Sequence, residues 1–298
     1  MTGADLTAAS AVPRGIRSRT PGGMAVRRFF RNKIAVGGAV VLIVVVALAI
    51  FAPLVSSYDP NAVDLRAFRQ APSAEHLFGT DSSGRDVFTR AIFAGRVSLG
   101  IGLSASLIAI VLGTLLGAVA GLLGGWVDAV IMRFADIMMS LPSLVVILVV
   151  AGILGPSLVT LIVAIGVFGW PVTGRVVRGA TLSLREHEFI LAANAVGASN
   201  WWLIRRHILP AVLAPVTVVG TLTVAGTILV EAALSFLGLG VQPPQASWGN
   251  MLIDAQNLTL VQTMPWLWLP PGIAIALTVL SVNFVGDGLR DAVDPRQG

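Results

Sequence analysis

Residues able to do chemistry are few in this 298-residue chain, and their positions exclude most enzymes. Lys33 is the only lysine, so no G-x-x-x-x-G-K-[ST] loop exists to cradle nucleotide phosphates, and an ATPase site of that kind is absent from the sequence. With no cysteine, the chain has no disulfide, no thiolate nucleophile and no cysteine-ligated metal. His76, His187 and His207 fall in polar segments that cannot all share one side of a membrane. His187, flanked by Glu186 and Glu188, reads as a solvated helix surface, and no H-E-x-x-H pattern occurs. The turn SSGRD at 82–86 lacks the G-x-S-x-G setting of a nucleophile elbow. Glu231 is different: it stands in the apolar run TILVEAALSFLGLG, where a carboxylate needs water, a donor or a proton. Exposure at a membrane interface, a pathway or gating role, and a proton relay are its three readings, and the relay lacks a second acid or histidine at matching depth. The expectation is a chain with no catalytic residue, bound cofactor or metal of its own.

The elements that would position these residues are membrane helices. The chain is 55% hydrophobic and 12% charged, with a mean hydropathy of +0.86, whereas soluble domains carry about 25% charged residues. Apolar runs at 34–55, 98–123, 134–154, 157–177, 208–236 and 266–285 predict six spans of an all-α integral membrane protein. The formal charge of +5 does not indicate nucleic acid, because the basic residues sit beside apolar segments rather than on one polar domain. Six spans place both termini on one side. That side, with the 124–133 and 175–207 connections, carries 15 of the 20 Lys and Arg residues, which makes it cytoplasmic.

Four regions follow. Residues 1–33 form a basic cytoplasmic leader, loosely ordered by composition; 34–97 hold the first span and an external loop; 98–290 form the core with five spans; and 291–298 are a cytoplasmic tail. The loop at 56–97 either covers the bundle or docks an external partner. In the second span Ala105, Ala109, Gly113, Gly117, Gly121 and Gly125 recur at every fourth position, a stripe with almost no side-chain bulk against which another helix can pack, in this chain or another. Pro142 in MSLPSL and Pro171 in GWPVTG each remove an amide donor and should kink or loosen a helix, for packing or to shape a pathway. Asp128, Arg133 and Asp136 near the inner end of the third span are explained by snorkelling or local pairing.

A polar and basic stretch, LSLREHEFILAANAVGASNWWLIRRHILP at 182–210, interrupts the apolar pattern between spans four and five. Ser183 and Glu186 have capping-box spacing, which predicts a helix starting at Leu184. Gly197 should end it, and Ser199 should cap a second helix running toward Pro210. Phe189, Ala192, Ala193 and Val196 would share a small apolar face, covered by this bundle or fitted to a soluble partner.

The segment EFILAANAVGASNWWLIRRHILP resembles the signature loop of binding-protein-dependent ABC importer permeases, through Ala192, Ala193, Gly197, Ile208, Leu209 and Pro210. Leu191 stands where that signature usually has glutamate. Together with HLFGTDSSGRDVFTR, GRVSLGIG, EAALSFLGLG, PPQASWGNML and NFVGDGLRDAVDPR, it resembles the dipeptide, oligopeptide and nickel branch in its C-type permease. The resemblance implies a type I permease fold in which the loop helices, with Glu188, Phe189, Ala192, Ala193, Val196 and Gly197, couple to ATPase subunits. It also implies a second homologous permease, two cytoplasmic ATPase subunits or domains that bind ATP and Mg, and an extracytoplasmic substrate-binding protein. Short peptides are the first expectation for cargo, with nickel chelates or other small solutes behind them. An ion-coupled secondary transporter would need a paired ionisable path, and a non-transport scaffold would bind partners without flux.

Overall fold

The computed structural model describes residues 21–293, all helical apart from loops and one isolated β-bridge between Thr80 and Asp86. Arg14, Arg17 and Arg19 of the leader, and Arg296 of the tail, lie outside the described residues.

The last third of the leader is a helix rather than loose chain. α1 (Pro21–Arg31) ends at Asn32, whose side chain accepts from the amides of Ile34 and Ala35 and so caps α2 (Lys33–Ile50), the first span. Asn32 also donates to Asp291 near the other terminus (3.3 Å). A Cβ on Gly288 would lie 2.3 Å from Ala35 Cβ and 3.1 Å from the Phe29 ring, so residues 29–35 pack against residues 288–291. A short α3 (Ala52–Val55) completes the first apolar run.

α4 (Val87–Leu123) begins well before the apolar run it contains, because Asp86 caps it: Oδ1 accepts from the Thr89 amide and hydroxyl, both at 2.7 Å. The third apolar run is not one helix. α5 (Gly125–Ser140) and α6 (Ser143–Leu154) meet at 87° across Leu141 and Pro142. A residue before proline is driven out of the α region, and Leu141 accordingly takes φ −93°, ψ 141°. Pro142 therefore breaks the run rather than bending it. Among the described residues, five helices are long and apolar enough to span a membrane, and six spans result if the bent pair counts as one.

α7 (Leu158–Arg185) follows, then α8 (Glu188–Ala195), and then α9 (Asn200–Leu203), which runs through a π-turn at Ile204–Ile208 into α10 (Leu209–Phe236). The turn has a local cause. Pro210 has no N–H and its ring crowds the carbonyl four residues back, so the ladder widens, with Leu209 N–H donating to Ile204 O. The second loop helix thus does not stop at Pro210; it becomes the fifth span. α11 (Trp248–Met251) and α12 (Leu258–Thr263) lie in the next connection, and α13 (Leu269–Val293) closes the bundle.

The core is the α4–α7 pair. A Cβ on Gly113 would sit 2.7 Å from Trp170 O, one on Gly117 2.4 Å from Gly174 O, and one on Gly121 2.6 Å from Thr181 Cβ. From the other side, a Cβ on Gly166 would meet Ile108 and one on Gly169 would meet Ala109. Backbones this close gain dispersion contacts that a lipid-facing helix would otherwise make with acyl chains, and this drives helix association where no hydrophobic effect acts between helices. α5 is tied to the same pair by Arg178, which donates to both Asp128 oxygens at 2.5 Å, and by Arg175 to Asp136 at 2.5 Å.

Candidate functional site

Two groups of residues have surroundings that packing alone does not explain: α8 with its flanks at one end of the bundle, and the carboxylate of Glu231 at the other.

The capping box expected at Ser183 and Glu186 does not form. α7 continues to Arg185 because Leu184 packs into a cluster with Ala118, Val177, Ile204, Ile208 and Val212, and that burial outweighs a cap. α8 starts instead at Glu188 after His187, whose Nδ1 lies 3.0 Å from Ser183 O. Its end is a Schellman motif. Val196 is the C-cap, Gly197 takes φ +84°, the Gly197 amide donates to Asn194 O and the Ala198 amide to Ala193 O, both at 3.0 Å. Ser199 Oγ then accepts from Trp202 N–H at 3.3 Å, which caps α9.

α8 is held from behind. Ile190 is fully buried, and the Phe189 ring lies 5.7 Å from His187 and 5.5 Å from His207, with Trp202 5.0 Å from His207 on the far side. Phe189 is therefore partly used in attaching the helix. Ala193 is half-buried, whereas Glu188, Ala192 and Val196 are exposed, Val196 at 86%. The outward apolar face also includes Leu191 and Ala195, which three- and four-residue spacing from Phe189 did not select. The position where the signature glutamate is usual thus presents an exposed leucine.

Glu231 is 0% exposed, so it does not sit at a watery interface. Ser98 Oγ on α4 donates to its Oε2 at 2.9 Å and Ser235 Oγ on α10 to its Oε1 at 2.7 Å. These hydroxyls in turn accept from the Trp248 amide (3.1 Å) and the Val241 amide (3.1 Å) of the following loop. Trp248 Nε1–H donates to Ala91 O on α4. That loop carries a capping box: Ser247 Oγ accepts from Asn250 N–H, and Asn250 Oδ1 accepts from Ser247 N–H. Glu231 is thus the centre of a polar knot that fixes α4, α10 and α11. Sequence spacing could not bring Ser98 to it, since the two are 133 residues apart.

The remaining sequence candidates are separate from both groups. Pro171 is buried within α7, beside the Trp170 carbonyl and Thr173 that meet Gly113. Pro142 is exposed at the α5–α6 break. Gly113, Gly117 and Gly121 lie in the α4–α7 contact, but Gly125 does not: a Cβ there would meet nothing within 4 Å, and its φ of +56° belongs to the turn that starts α5. Among the described residues, no three His, Asp or Glu side chains gather as metal ligands.

Comparison with known proteins identifies the family. Residues 113–298 match the family of binding-protein-dependent transport system inner membrane components, and residues 20–72 match the N-terminal transmembrane domain of oligopeptide transport permease C. A Brucella suis protein named as a peptide permease is 45% identical over 279 residues, covering 94% of this chain and 92% of the relative. The dipeptide transport system permease of Alkalihalophilus pseudofirmus is 45% identical over 272 residues (91% and 89%), and a D,D-dipeptide transport system permease of Escherichia coli is 42% identical over 289 (97% and 96%). With two glycine-packed spans at its centre and a capped helix set between its fourth and fifth spans, the chain belongs to the family of binding-protein-dependent transport system inner membrane components.

Proposed function

We propose that the chain is the permease subunit of an ATP-driven importer of short peptides, forming half of a translocation pathway with a second, homologous permease. Relatives named for peptide and dipeptide transport support the cargo. ATP hydrolysis belongs to partner subunits, two per complex, and an extracytoplasmic binding protein delivers the peptide. The 15-to-5 division of basic residues favours both termini and α8 in the cytoplasm, with residues 56–86 and 237–268 outside.

The observation that carries the reading is α8 itself. A helix of eight residues is too short to be stable alone, yet this one is anchored by Ile190, by the Phe189–His207 contact and by the Gly197 turn, while Leu191, Ala192, Ala195 and Val196 face outward. An apolar patch on a rigid element in water is a docking surface. Closure of the ATPase subunits would push on it, and α7 and α9–α10, which leave it at either end, would carry the displacement into the spans.

Replacing Leu191 and Val196 together by aspartate should abolish co-purification of the ATPase subunits and ATP-dependent dipeptide uptake, while isolated ATPase subunits keep their activity. Both side chains are exposed, so the fold should survive. Retained co-purification with unchanged uptake would remove α8 from the coupling role.

A further inference from the structure

At the end of the bundle opposite α8, the 56–86 loop and the α11 loop enclose a cavity of about 180 Å³ lined by Asp81, Arg85, Arg90, Asn250, Met251 and Asp254, with apolar residues behind them. Three of its charges are tied to one another, one carboxylate between two guanidiniums. Asp81 accepts from Arg85 Nε at 2.8 Å and lies 3.4 Å from Arg90 Nε, and Arg90, 5% exposed, also donates from Nη1 to Pro60 O at 3.0 Å. Asp254 is the exception. Among the described residues its carboxylate has no hydrogen bond and no ion pair, although it lines the cavity. Burial and the neighbouring Asp81 push its carboxyl above the usual carboxylate range, against the pull of Arg69, Arg85 and Arg90.

A half-buried carboxylate that no donor contacts, facing a cavity, has its oxygens open to a cationic donor. Arg85 and Arg90 in the same lining make the pocket inhospitable to a bare metal ion but complementary to a group with a negative or carbonyl end beside the cation. The volume is below the roughly 300–1,000 Å³ of sites that hold drug-sized ligands, so it takes one residue rather than an extended chain. We infer that this cavity receives the amino-terminal residue of a peptide, its ammonium on Asp254 and its first carbonyl toward Arg85 and Arg90, as a first station between binding protein and pathway. The inference rests on the short-peptide reading of the cargo.

The test uses the assembled transporter in nanodiscs, without the binding protein, and a labelled tripeptide bearing a photoreactive leucine. Saturable labelling of the α11 loop around Met251 is expected. Asp254→Asn breaks no hydrogen bond and no close ion pair, so it should assemble normally and lower labelling at least about tenfold, the loss of one charge-assisted hydrogen bond. Asp254→Glu should retain part of it. An N-acetylated tripeptide should fail to compete, while its C-terminal amide competes fully. Because ammonium binding needs the ionised carboxylate, labelling should fall as pH drops through the raised Asp254 range, and this fall should be absent in Asp254→Asn. Equal labelling of wild type and Asp254→Asn, or equal competition by the acetylated peptide, would overturn the site. Failure of the cargo reading looks different: the wild-type complex with its binding protein would then show no ATP-dependent peptide uptake at all.

Discussion

Glu231 shows how much a single residue type leaves open. In sequence it is one acid in an apolar run, and exposure at an interface is the economical reading. In the fold it is fully buried, with serine hydroxyls on both oxygens and loop amides behind the hydroxyls. Removing the acceptor strands two donors in a low-dielectric site, so Glu231→Ala should destabilise by about 2–4 kcal/mol, whereas Glu231→Gln, which keeps one acceptor oxygen, should cost roughly half of that. Thermal unfolding of the purified complex reads this directly. A variant with lost uptake but unchanged unfolding temperature would return Glu231 to a gating role. Gly197 is the opposite case, legible because its constraint is local: a helix end followed by a residue at positive φ leaves its mark in three or four consecutive residues. A β-branched residue at φ +84° is strained by about 1–3 kcal/mol. Gly197→Val should therefore lower uptake and transport-coupled ATP hydrolysis without touching isolated ATPase activity, and Gly197→Asn should be milder, since asparagine tolerates that conformation.

At the scale of elements, periodicity revealed what repeats and missed what breaks. The four-residue stripe in α4 was readable because small residues at that spacing share a face whatever they meet, and the fold supplies the partner, α7 of the same chain. Gly117→Leu would drive a side chain into Gly174 O, where even a Cβ lies 2.4 Å away, at a cost of about 3 kcal/mol. Gly179 on α7 has nothing within 4 Å of its Cβ position, so Gly179→Ala serves as the tolerated control in the same helix pair. Loss of assembly in both, or in neither, would argue against the contact. Three features were not readable, each for a tertiary reason. The Ser183–Glu186 box lost to burial of Leu184 against α4 and α10 residues; the third span turned through 87° where Leu141 was forced into an extended conformation; and α1 became a helix with α13 as its support. A capping box of the same logic does form at Ser247 and Asn250.

For the molecule as a whole, the two ends of the bundle have different chemistry, and the direction of transport depends on which end faces out. The α8 end holds the exposed apolar face, the Asn32–Asp291 contact and, among the described residues, most of the basic ones; the other holds the charged cavity and the Glu231 knot. Positive residues are retained on the cytoplasmic side during insertion, so the α8 end should be inside. The absence of cysteine makes this simple to measure, because a single introduced thiol is the only reactive one. Ala74 and Asn194 are both exposed, at opposite ends. In intact cells a membrane-impermeant maleimide should label Ala74→Cys at once and Asn194→Cys only after the membrane is permeabilised. The reverse pattern would place α8 outside, where no ATPase subunit could reach it, and would overturn the coupling role together with the peptide station at Asp254. Labelling of both from outside would leave neither a span count of six nor an even topology standing, since the α8 segment and the 56–86 loop are separated by three crossings, counting the bent α5–α6 pair as one.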